Sequence, residues 1–222
     1  MLFTNRRYKY LADIIMPNSC ALCGKVIVWD RLVCDECSAD MPREYTEMQK
    51  FANIEGAVSA FYYEDKIISR IYRLKNDADV NNFAELSALK IAERLCEQGL
   101  TDKIDVVTAV PMHIRKKLVR GRNQAELLAR FVADAINRPT DFSMLARISD
   151  KTEQHKLMRE ERAAHARKIY IANRKHSDIS SKTVLICDDV ITTGSTISAC
   201  GGVLKELGAS EVYACSAAVS VK

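Results

Sequence analysis

The segment spanning residues 184–197 (VLICDDVITTGSTI) combines the residue types and spacing best suited to chemistry. Two adjacent carboxylates, Asp188 and Asp189, follow an apolar run, where they can accept hydrogen bonds from the vicinal 2′ and 3′ hydroxyls of a ribose. The next polar residues offer backbone N–H groups and hydroxyls at the start of a predicted helix, which makes an anion site. These residues are Thr192, Thr193, Gly194, Ser195 and Thr196. The segment is therefore predicted to hold a phosphorylated ribose.

The alternative for this segment is an acidic turn followed by an ordinary threonine N-cap. That alternative explains a cap, but not two carboxylates, three threonines, a glycine and a serine within nine residues. Gly194 also fits the phosphate hypothesis, because glycine permits the close approach and the unusual backbone angles that wrapping a phosphate requires.

Four cysteines form a second constellation near the start of the chain. They occur as two C-x-x-C pairs separated by ten residues, which is the spacing of a tetrahedral zinc site. The four are Cys20, Cys23, Cys34 and Cys37. Four protein ligands leave no open coordination position, so the zinc is predicted to be structural. A redox-active C-x-x-C pair, an iron–sulfur site and a relic without metal are the alternatives.

The other four cysteines are predicted to be small buried hydrophobic residues, because their surroundings in the sequence are apolar. They are Cys96, Cys187, Cys200 and Cys215.

A cationic segment follows the predicted strand of residues 105–110. Five basic side chains crowd residues 115–122, and Gly121 offers a hinge. A polyanion could be held there, and such a segment could close over a substrate. A solvated basic loop is the alternative.

Hydrophobic periodicity predicts an α/β fold that would position these residues. Strands are predicted at residues 56–63, 105–110, 183–187 and 211–218. Helices are predicted at residues 1–15, around residues 67–74, at residues 82–98, around residues 127–136 and at residues 195–207. The last strand–helix–strand run is a βαβ unit, so we expect a Rossmann-like parallel sheet covered by helices. Residues 1–48 are predicted to form a helix and zinc module, and residues 49–222 the larger domain.

Composition places the 222-residue chain among ordinary globular proteins, with 48% hydrophobic and 28% charged residues. The net charge of +4 only weakly favours an anionic partner. The start of the chain lacks the apolar core of a secretion signal, and no stretch reaches the length of a membrane span. A cytoplasmic location is therefore predicted.

The residue 188–196 segment closely resembles the phosphoribosyl-pyrophosphate loop of type I phosphoribosyltransferases. With the cysteine module, the whole chain resembles the ComF/GntX family of competence-associated, phosphoribosyltransferase-like proteins. The resemblance rests on Pro17 with the CALC and CDEC knuckles, residues 63–75 (YEDKIISRIYRLK), VPMHIRKKLVRGRNQAELLA, Thr152, Gln154, Leu157 and Arg162.

The resemblance implies a type I phosphoribosyltransferase fold that binds phosphoribosyl pyrophosphate. Asp188 and Asp189 would bind the ribose hydroxyls as the catalytic carboxylates, and residues 192–196 would bind the 5-phosphate. Mg²⁺ would bridge the pyrophosphate to the sugar. The pyrophosphate itself would meet a further set of residues. That set is Val110, Pro111, Arg115, Arg120 and Lys75.

Two classes of function follow from these observations. The first is an enzyme that transfers a phosphoribosyl group to an unidentified acceptor, with a role in DNA uptake and natural transformation implied by the resemblance. The second is a non-catalytic competence factor that binds single-stranded DNA or other competence proteins with the same fold. Stacking on single-stranded DNA would need exposed aromatic rings, for which Trp29 and Tyr45 are the candidates.

Overall fold

The computed structural model describes residues 17–76, 81–148, 169–173 and 177–221, and of Lys75 and Asn76 it describes the backbone alone. The predicted helix of residues 1–15 lies outside the described residues, and so do Thr152, Gln154, Leu157 and Arg162.

A five-stranded sheet forms the centre of the described structure. Its members are β1 (Gln49–Phe51), β2 (Ile54–Tyr62), β3 (Val106–Ala109), β6 (Thr183–Ile191) and β7 (Glu211–Val219). They lie in the order β1-β2-β7-β6-β3. Strands β2, β7, β6 and β3 are parallel to one another, and β1 pairs antiparallel with β2 at one edge. A separate two-stranded antiparallel sheet joins β4 (Leu145–Arg147) to β5 (Tyr170–Ala172).

Helices cover both faces of this sheet. In chain order they are α1 (Asp35–Ala39), α2 (Asp65–Asn76), α3 (Asn81–Glu97), α4 (Ile114–Arg120), α5 (Gln124–Ala135) and α6 (Ser195–Glu206). Two buried clusters result, one joining α3 and α5 to the sheet and one joining α6 and the β4–β5 pair to it. The predicted α/β architecture is therefore confirmed, with a mostly parallel sheet.

The predicted elements agree closely with the observed ones at β2, β3, β7, α2, α3, α5 and α6. One predicted boundary was wrong, and one helix was not predicted. The strand predicted at residues 183–187 runs on to Ile191, because β7 continues beside it and pairs with it through Val219. No helix was predicted in the basic segment, yet Ile114 to Arg120 form a helix that His113 caps and Gly121 ends.

The residues around the four cysteines pack directly on α2 and α3. Cys20, Ala21 and Leu22 are buried within the core cluster that includes Ile67 and Ile71 of α2. Polar contacts reinforce this packing, since Asn82 at the start of α3 donates to the Ser19 carbonyl at 2.6 Å. The division of the chain at residue 48 stays a prediction.

No helix in the described part of the chain is long and apolar enough to cross a bilayer.

Candidate functional site

Asp188 and Asp189 lie inside β6 rather than in a loop after it. β3 ends earlier: Ala109 pairs with Cys187, and Val110 N–H donates to the Cys187 carbonyl at 2.9 Å. The acid pair therefore lies just beyond the end of β3, at the carboxyl edge of the parallel strands, where open α/β sheets bind ligands. Both aspartates are half-buried.

Each carboxylate accepts a hydrogen bond from the backbone N–H of the residue that follows it. Asp189 N–H donates to Asp188 Oδ1 at 2.9 Å, and Val190 N–H donates to Asp189 Oδ1 at 2.8 Å. Asp188 also lines a cavity of about 200 Å³, open to solvent, whose other lining residues are 190–197. Asp189 lies outside that lining. The structure thus brings Asp188 together with the predicted phosphate-binding residues, while Asp189 lies next to them along β6.

Gly194 gives the end of this cavity its shape. It is the N-cap of α6 and has a left-handed backbone, with φ 71° and ψ −1°. A Cβ atom at this position would overlap the ring of Phe51, the last residue of β1. Glycine is therefore required here both by its backbone angles and by the close approach of an aromatic ring.

The first turn of α6 lines the cavity, and Gly194 has no side chain to cap its N–H groups, although Ser195 N–H donates weakly to Thr193 Oγ1 at 3.4 Å. The hydroxyls of Thr193 and Ser195 hydrogen-bond each other at 2.9 Å across the glycine. The partial positive charge of a helix N-terminus and a set of hydroxyls therefore face the same small cavity. Such a site is suited to an anion the size of a phosphate.

A buried tyrosine supports the loop from behind. Tyr170 of β5 is 5% exposed and hydrogen-bonds the side chain of Thr196. Burial raises the pKa of its hydroxyl, and the nearby Cys200 and Asp188 add to that rise. The hydroxyl therefore stays protonated and can donate a hydrogen bond.

Arg147 of β4 lies over the Tyr170 ring, with its guanidinium carbon 5.5 Å from the ring centroid. The β4–β5 pair thus brings a cation next to Tyr170. Tyr170 was not predicted from the sequence, because residues 139–180 show no clear periodicity, and Phe51 was missed for the same lack of a local signal.

The cationic helix α4 follows β3, the strand next to β6, which carries Asp188. His113 Nδ1 accepts a hydrogen bond from Arg115 N–H at 3.2 Å, so this histidine caps the helix. Arg115 and Arg120 are exposed. Lys117 is held by an ion pair with Glu126 at 2.9 Å.

Val110 and Pro111 connect β3 to α4, and Val110 lies beside β6, where it is hydrogen-bonded to Cys187. Asn123 stabilises this connection by donating to the Val110 carbonyl at 3.0 Å. Lys75 lies near the end of α2, and its side chain is outside the described structure. The structure therefore brings Val110 next to the acid pair, with Pro111 following it, and it places Arg115 and Arg120 on the adjoining helix.

The four cysteines predicted as metal ligands come together, since their Sγ atoms all lie within 4.8 Å of one another. Cys23 Sγ and Cys34 Sγ are 3.7 Å apart, close to the spacing of about 3.8 Å that Zn–S bonds of 2.3 Å give in a tetrahedron. Backbone N–H groups also donate to the cluster, from Cys34 to Cys20 Sγ and from Cys37 to Cys34 Sγ. The cluster fits a zinc ion.

Without a metal ion, the thiols of this cluster differ widely in pKa. Burial opposes ionisation of Cys20, but backbone N–H groups of Cys23, Cys34 and Leu22 outweigh it and lower the pKa of that thiol to about 6. Burial and the neighbouring sulfur atoms raise the pKa of Cys37 to about 12. A divalent cation would allow all four sulfur atoms to be thiolates.

The remaining cysteines and aromatic rings give two corrections. Cys187, Cys200 and Cys215 are buried, as predicted, but Cys96 is exposed on α3, so that prediction was wrong. Tyr45 is only 2% exposed and packs edge-on against Tyr62, so it cannot present a ring face to a base as predicted.

Comparisons with known proteins agree with this geometry. Residues 122–219 match the family described as the phosphoribosyl transferase domain. The chain is 25% identical over 201 residues to the DNA utilization protein YhgH of Escherichia coli (strain K12), a match that covers 87% of this chain and 86% of that protein. It is 26% identical over 108 residues to competence protein F of Haemophilus influenzae, with 49% of this chain and 47% of that protein covered.

Among solved structures, the purine phosphoribosyltransferase from Pyrococcus horikoshii Ot3 aligns with 60% of this chain and 70% of its own, at 22% identity and a TM-score of 0.36. The domain match and the curated relatives confirm the resemblance inferred from the sequence, and with the parallel sheet they establish the type I phosphoribosyltransferase fold.

Proposed function

We propose that this chain, whose residues 122–219 carry a phosphoribosyl transferase domain, binds phosphoribosyl pyrophosphate with Mg²⁺ and transfers its phosphoribosyl group to an acceptor. The observation that carries the proposal is the cavity in which the Asp188 carboxylate and the uncapped N-terminus of α6 face each other around Gly194. The cavity therefore has a carboxylate that can accept hydrogen bonds from hydroxyl groups, and close to it a helix N-terminus that can bind a phosphate.

The residues divide the donor between them. Asp188 and Asp189 accept hydrogen bonds from the ribose hydroxyls, and residues 192–196 bind the 5-phosphate through backbone N–H groups and hydroxyls. Arg115 and Arg120 of α4, with the Val110–Pro111 connection, contact the pyrophosphate from the β3 side. Carboxylate oxygens are ligands that Mg²⁺ prefers, and the ion when bound would neutralise charge on the pyrophosphate.

Transfer breaks the bond between the sugar C1 and the pyrophosphate oxygen, and the pyrophosphate leaves with that electron pair. The lone pair of an acceptor nitrogen forms the new bond to C1, and the proton of that nitrogen passes to water. Positive charge develops on the sugar and negative charge on the leaving group. Carboxylates beside the ribose and arginines beside the pyrophosphate are complementary to this charge separation.

Release of labelled pyrophosphate from phosphoribosyl pyrophosphate, in the presence of Mg²⁺ and a panel of nucleobases, tests transfer directly. We expect release that Asp188→Asn lowers by at least about 100-fold, since removing one charge-stabilising group typically costs 10²–10³ in rate. Asp134→Asn, an exposed aspartate on α5, is the matched control and should leave the rate unchanged. Equal rates for the two variants would remove Asp188 from the site.

The biological setting that we propose is the handling of DNA taken up by the cell. It is supported by the printed names of the relatives, which are a competence protein and DNA utilization proteins. The four-cysteine cluster is proposed to bind a structural zinc ion, because its four sulfur atoms lie within 4.8 Å of one another and could all contact one ion in a closed tetrahedral site.

The surface of α4 favours a second candidate function, which is binding of single-stranded DNA. Ile114, Leu118 and Val119 are 62%, 76% and 87% exposed, and they alternate with the exposed Arg115, Lys116 and Arg120. Cations can neutralise phosphates and apolar side chains can contact bases.

Fluorescence anisotropy with a labelled oligonucleotide tests binding of single-stranded DNA by α4. Lys116→Glu combined with Arg120→Glu should weaken binding and reduce its dependence on salt concentration, because fewer phosphates are neutralised. Salt-independent binding would exclude phosphate contacts.

A further inference from the structure

A second cleft opens at the carboxyl edge of the sheet, away from the cavity of the phosphate loop. It has a volume of about 570 Å³ and lies between the segment of residues 40–43 and the start of α2. Its lining residues are Asp40, Met41, Pro42, Arg43, Tyr62, Glu64, Asp65, Lys66 and Ile67. The cleft thus combines an aromatic ring, apolar side chains and charged groups.

Strand register fixes where this cleft lies relative to the phosphate loop. Tyr62 of β2 pairs with Val219 of β7, and Val219 pairs in turn with Ile191 of β6. Because neighbouring strands are 4.7–4.9 Å apart, Tyr62 lies about 10 Å from Ile191, the residue before the phosphate loop. That distance is comparable to the span of a phosphorylated ribose with a base attached.

The side of the sheet on which the cleft lies is also informative. The β3 end and α4 lie on one side of β6, and β7 and β2 lie on the other. In a displacement at C1 the incoming nitrogen and the departing pyrophosphate occupy opposite faces of the sugar. If the pyrophosphate is held on the β3 side, as proposed, and the faces of the sugar point along the order of the strands, the acceptor approaches from the side of β7 and β2, where this cleft opens.

The cleft contains a built platform for a flat ring. The guanidinium carbon of Arg43 lies 3.9 Å from the centroid of the Tyr62 ring, and Arg43 Nη2 donates to Tyr62 Oη at 3.3 Å. The buried Tyr45 holds that ring edge-on, at 5.2 Å and 77°. Backbone hydrogen bonds from Tyr62 N–H to Arg43 O and from Tyr45 N–H to Ala60 O fix both segments. Arginine planes and tyrosine rings are surfaces on which nucleobases stack.

Apart from Arg43, whose guanidinium lies over the Tyr62 ring, the charged groups of the cleft favour a ligand that donates hydrogen bonds. Lys66 forms an ion pair with Asp40, so that cation is already matched. Glu64 and Asp65 line the cleft and are exposed, two and three residues beyond the end of the strand that carries Tyr62. Their carboxylates accept hydrogen bonds from amino groups and repel carbonyl oxygens.

We propose that this cleft is the acceptor subsite, and that it takes a nucleobase bearing an exocyclic amino group. The ring stacks on the Arg43–Tyr62 pair, its apolar edge contacts Met41 and Pro42, and its amino group donates to Glu64 or Asp65. This inference rests on the proposed transfer reaction, since the cleft is an acceptor site only if the donor binds at the phosphate loop.

Saturation-transfer NMR with free nucleobases tests the proposal, in the presence and in the absence of Mg²⁺ and phosphoribosyl pyrophosphate. Adenine and cytosine should bind, and their carbonyl analogues hypoxanthine and uracil should bind at least about fivefold more weakly. Arg43→Ala should weaken adenine or cytosine binding about tenfold, which is within the range measured for loss of one stacking partner. Arg43 is exposed, so this variant keeps the fold. Tyr72→Leu, which replaces an exposed tyrosine of α2 outside the cleft, is the control and should bind as the wild type does.

The outcomes separate this inference from the transfer reaction itself. If the donor binds but the amino bases bind no better than their carbonyl analogues, or Arg43→Ala keeps full affinity, the acceptor site is wrong and the donor site stands. If amino bases bind in an Arg43-dependent way and the donor does not bind, the cleft recognises bases but is not an acceptor subsite. Binding of a short single-stranded oligonucleotide without binding of the free bases would assign the cleft to strand recognition and overturn the proposal.

Discussion

Among single residues, Gly194 is the one whose substitution tests the proposed phosphate-binding loop most sharply. Its left-handed backbone penalises any side chain, and a Cβ atom would also strike the Phe51 ring. Gly99 offers a matched control, because its φ of 64° is similar while nothing lies within 4 Å of a Cβ built there. The two positions share the backbone penalty of about 1 kcal/mol and differ in the steric one.

We predict that Gly194→Ala weakens binding of phosphoribosyl pyrophosphate at least about tenfold and lowers the free energy of unfolding by more than Gly99→Ala does. The overlap with Phe51 must push the loop or the ring aside, and either movement disturbs the N-terminus of α6. Calorimetry and urea unfolding of both variants measure the two effects. Equal losses in the two variants would show that the contact with Phe51 does not shape the loop.

Among the secondary-structure elements, β2 is linked to both α6 and β7 by the side chain of Glu55. This residue of β2 accepts hydrogen bonds from Lys205 Nζ of α6 at 2.5 Å and from Val212 N–H of β7 at 2.8 Å. Burial opposes its ionisation, but Lys205 and the backbone N–H groups outweigh burial and hold the pKa of Glu55 below its ordinary range. A carboxylate with a lowered pKa in the folded state stabilises the fold above its unfolded pKa, and this contribution disappears as the pH falls through the folded value.

We therefore predict that Glu55→Gln lowers the free energy of unfolding by about 1 kcal/mol at pH 7. The difference from the wild type should shrink as the pH falls below about 4.3, the ordinary pKa of a glutamate. Glu93→Gln, which removes an exposed ion pair with Lys90, should change stability by less than about 0.5 kcal/mol. A deficit for Glu55→Gln that stays constant between pH 7 and pH 3 would contradict the assigned charge.

Elements also show how far the sequence predicts this fold. Helices with a clear apolar face, such as α5, and the apolar runs of β6 and β7 are legible because burial imposes their periodicity. The extension of β6 through Asp188 and Asp189 was not legible, since it depends on pairing with the end of β7. α4 was missed as a helix for a related reason, because none of its residues is buried and no apolar stripe marks it.

The candidate site shows the same division. The acid pair, Gly194 and the four cysteines were predicted because short-range spacing carries their chemistry. Phe51 and Tyr170 come to the loop from other strands through tertiary packing, which leaves no mark on the local sequence. The Arg43–Tyr62 pair likewise joins two residues that are 19 positions apart in the chain.

In the molecule as a whole, the cysteine cluster is attached to the rest of the described structure by a buried interface on α2. Arg70 of α2 is 2% exposed, and its Nη2 donates to the Cys20 carbonyl at 3.4 Å. Metal binding should therefore stabilise more than the cysteine segment alone, because ordering residues 20–37 also orders a part of the core.

We predict that the purified protein binds one equivalent of zinc, that a strong chelator lowers its melting temperature, and that Cys34→Ser reduces bound zinc below one equivalent. Cys96→Ser is the control, because Cys96 is exposed on α3 and outside the cluster, and it should leave the zinc content unchanged. Metal analysis and thermal unfolding measure these effects. A metal-free wild type, or one whose melting temperature does not respond to the chelator, would refute the zinc site.

The proposed transfer reaction and the proposed acceptor subsite both depend on binding of phosphoribosyl pyrophosphate at the carboxyl end of β6. Calorimetric titration of the wild type and of Asp189→Asn with this donor, each with and without Mg²⁺, measures that binding. We expect Mg²⁺-dependent binding by the wild type and at least about tenfold weaker binding by the variant, because hydrogen bonds to a charged partner are among the stronger ones. Absence of binding by a folded wild type, or equal affinity of the two proteins, would contradict it.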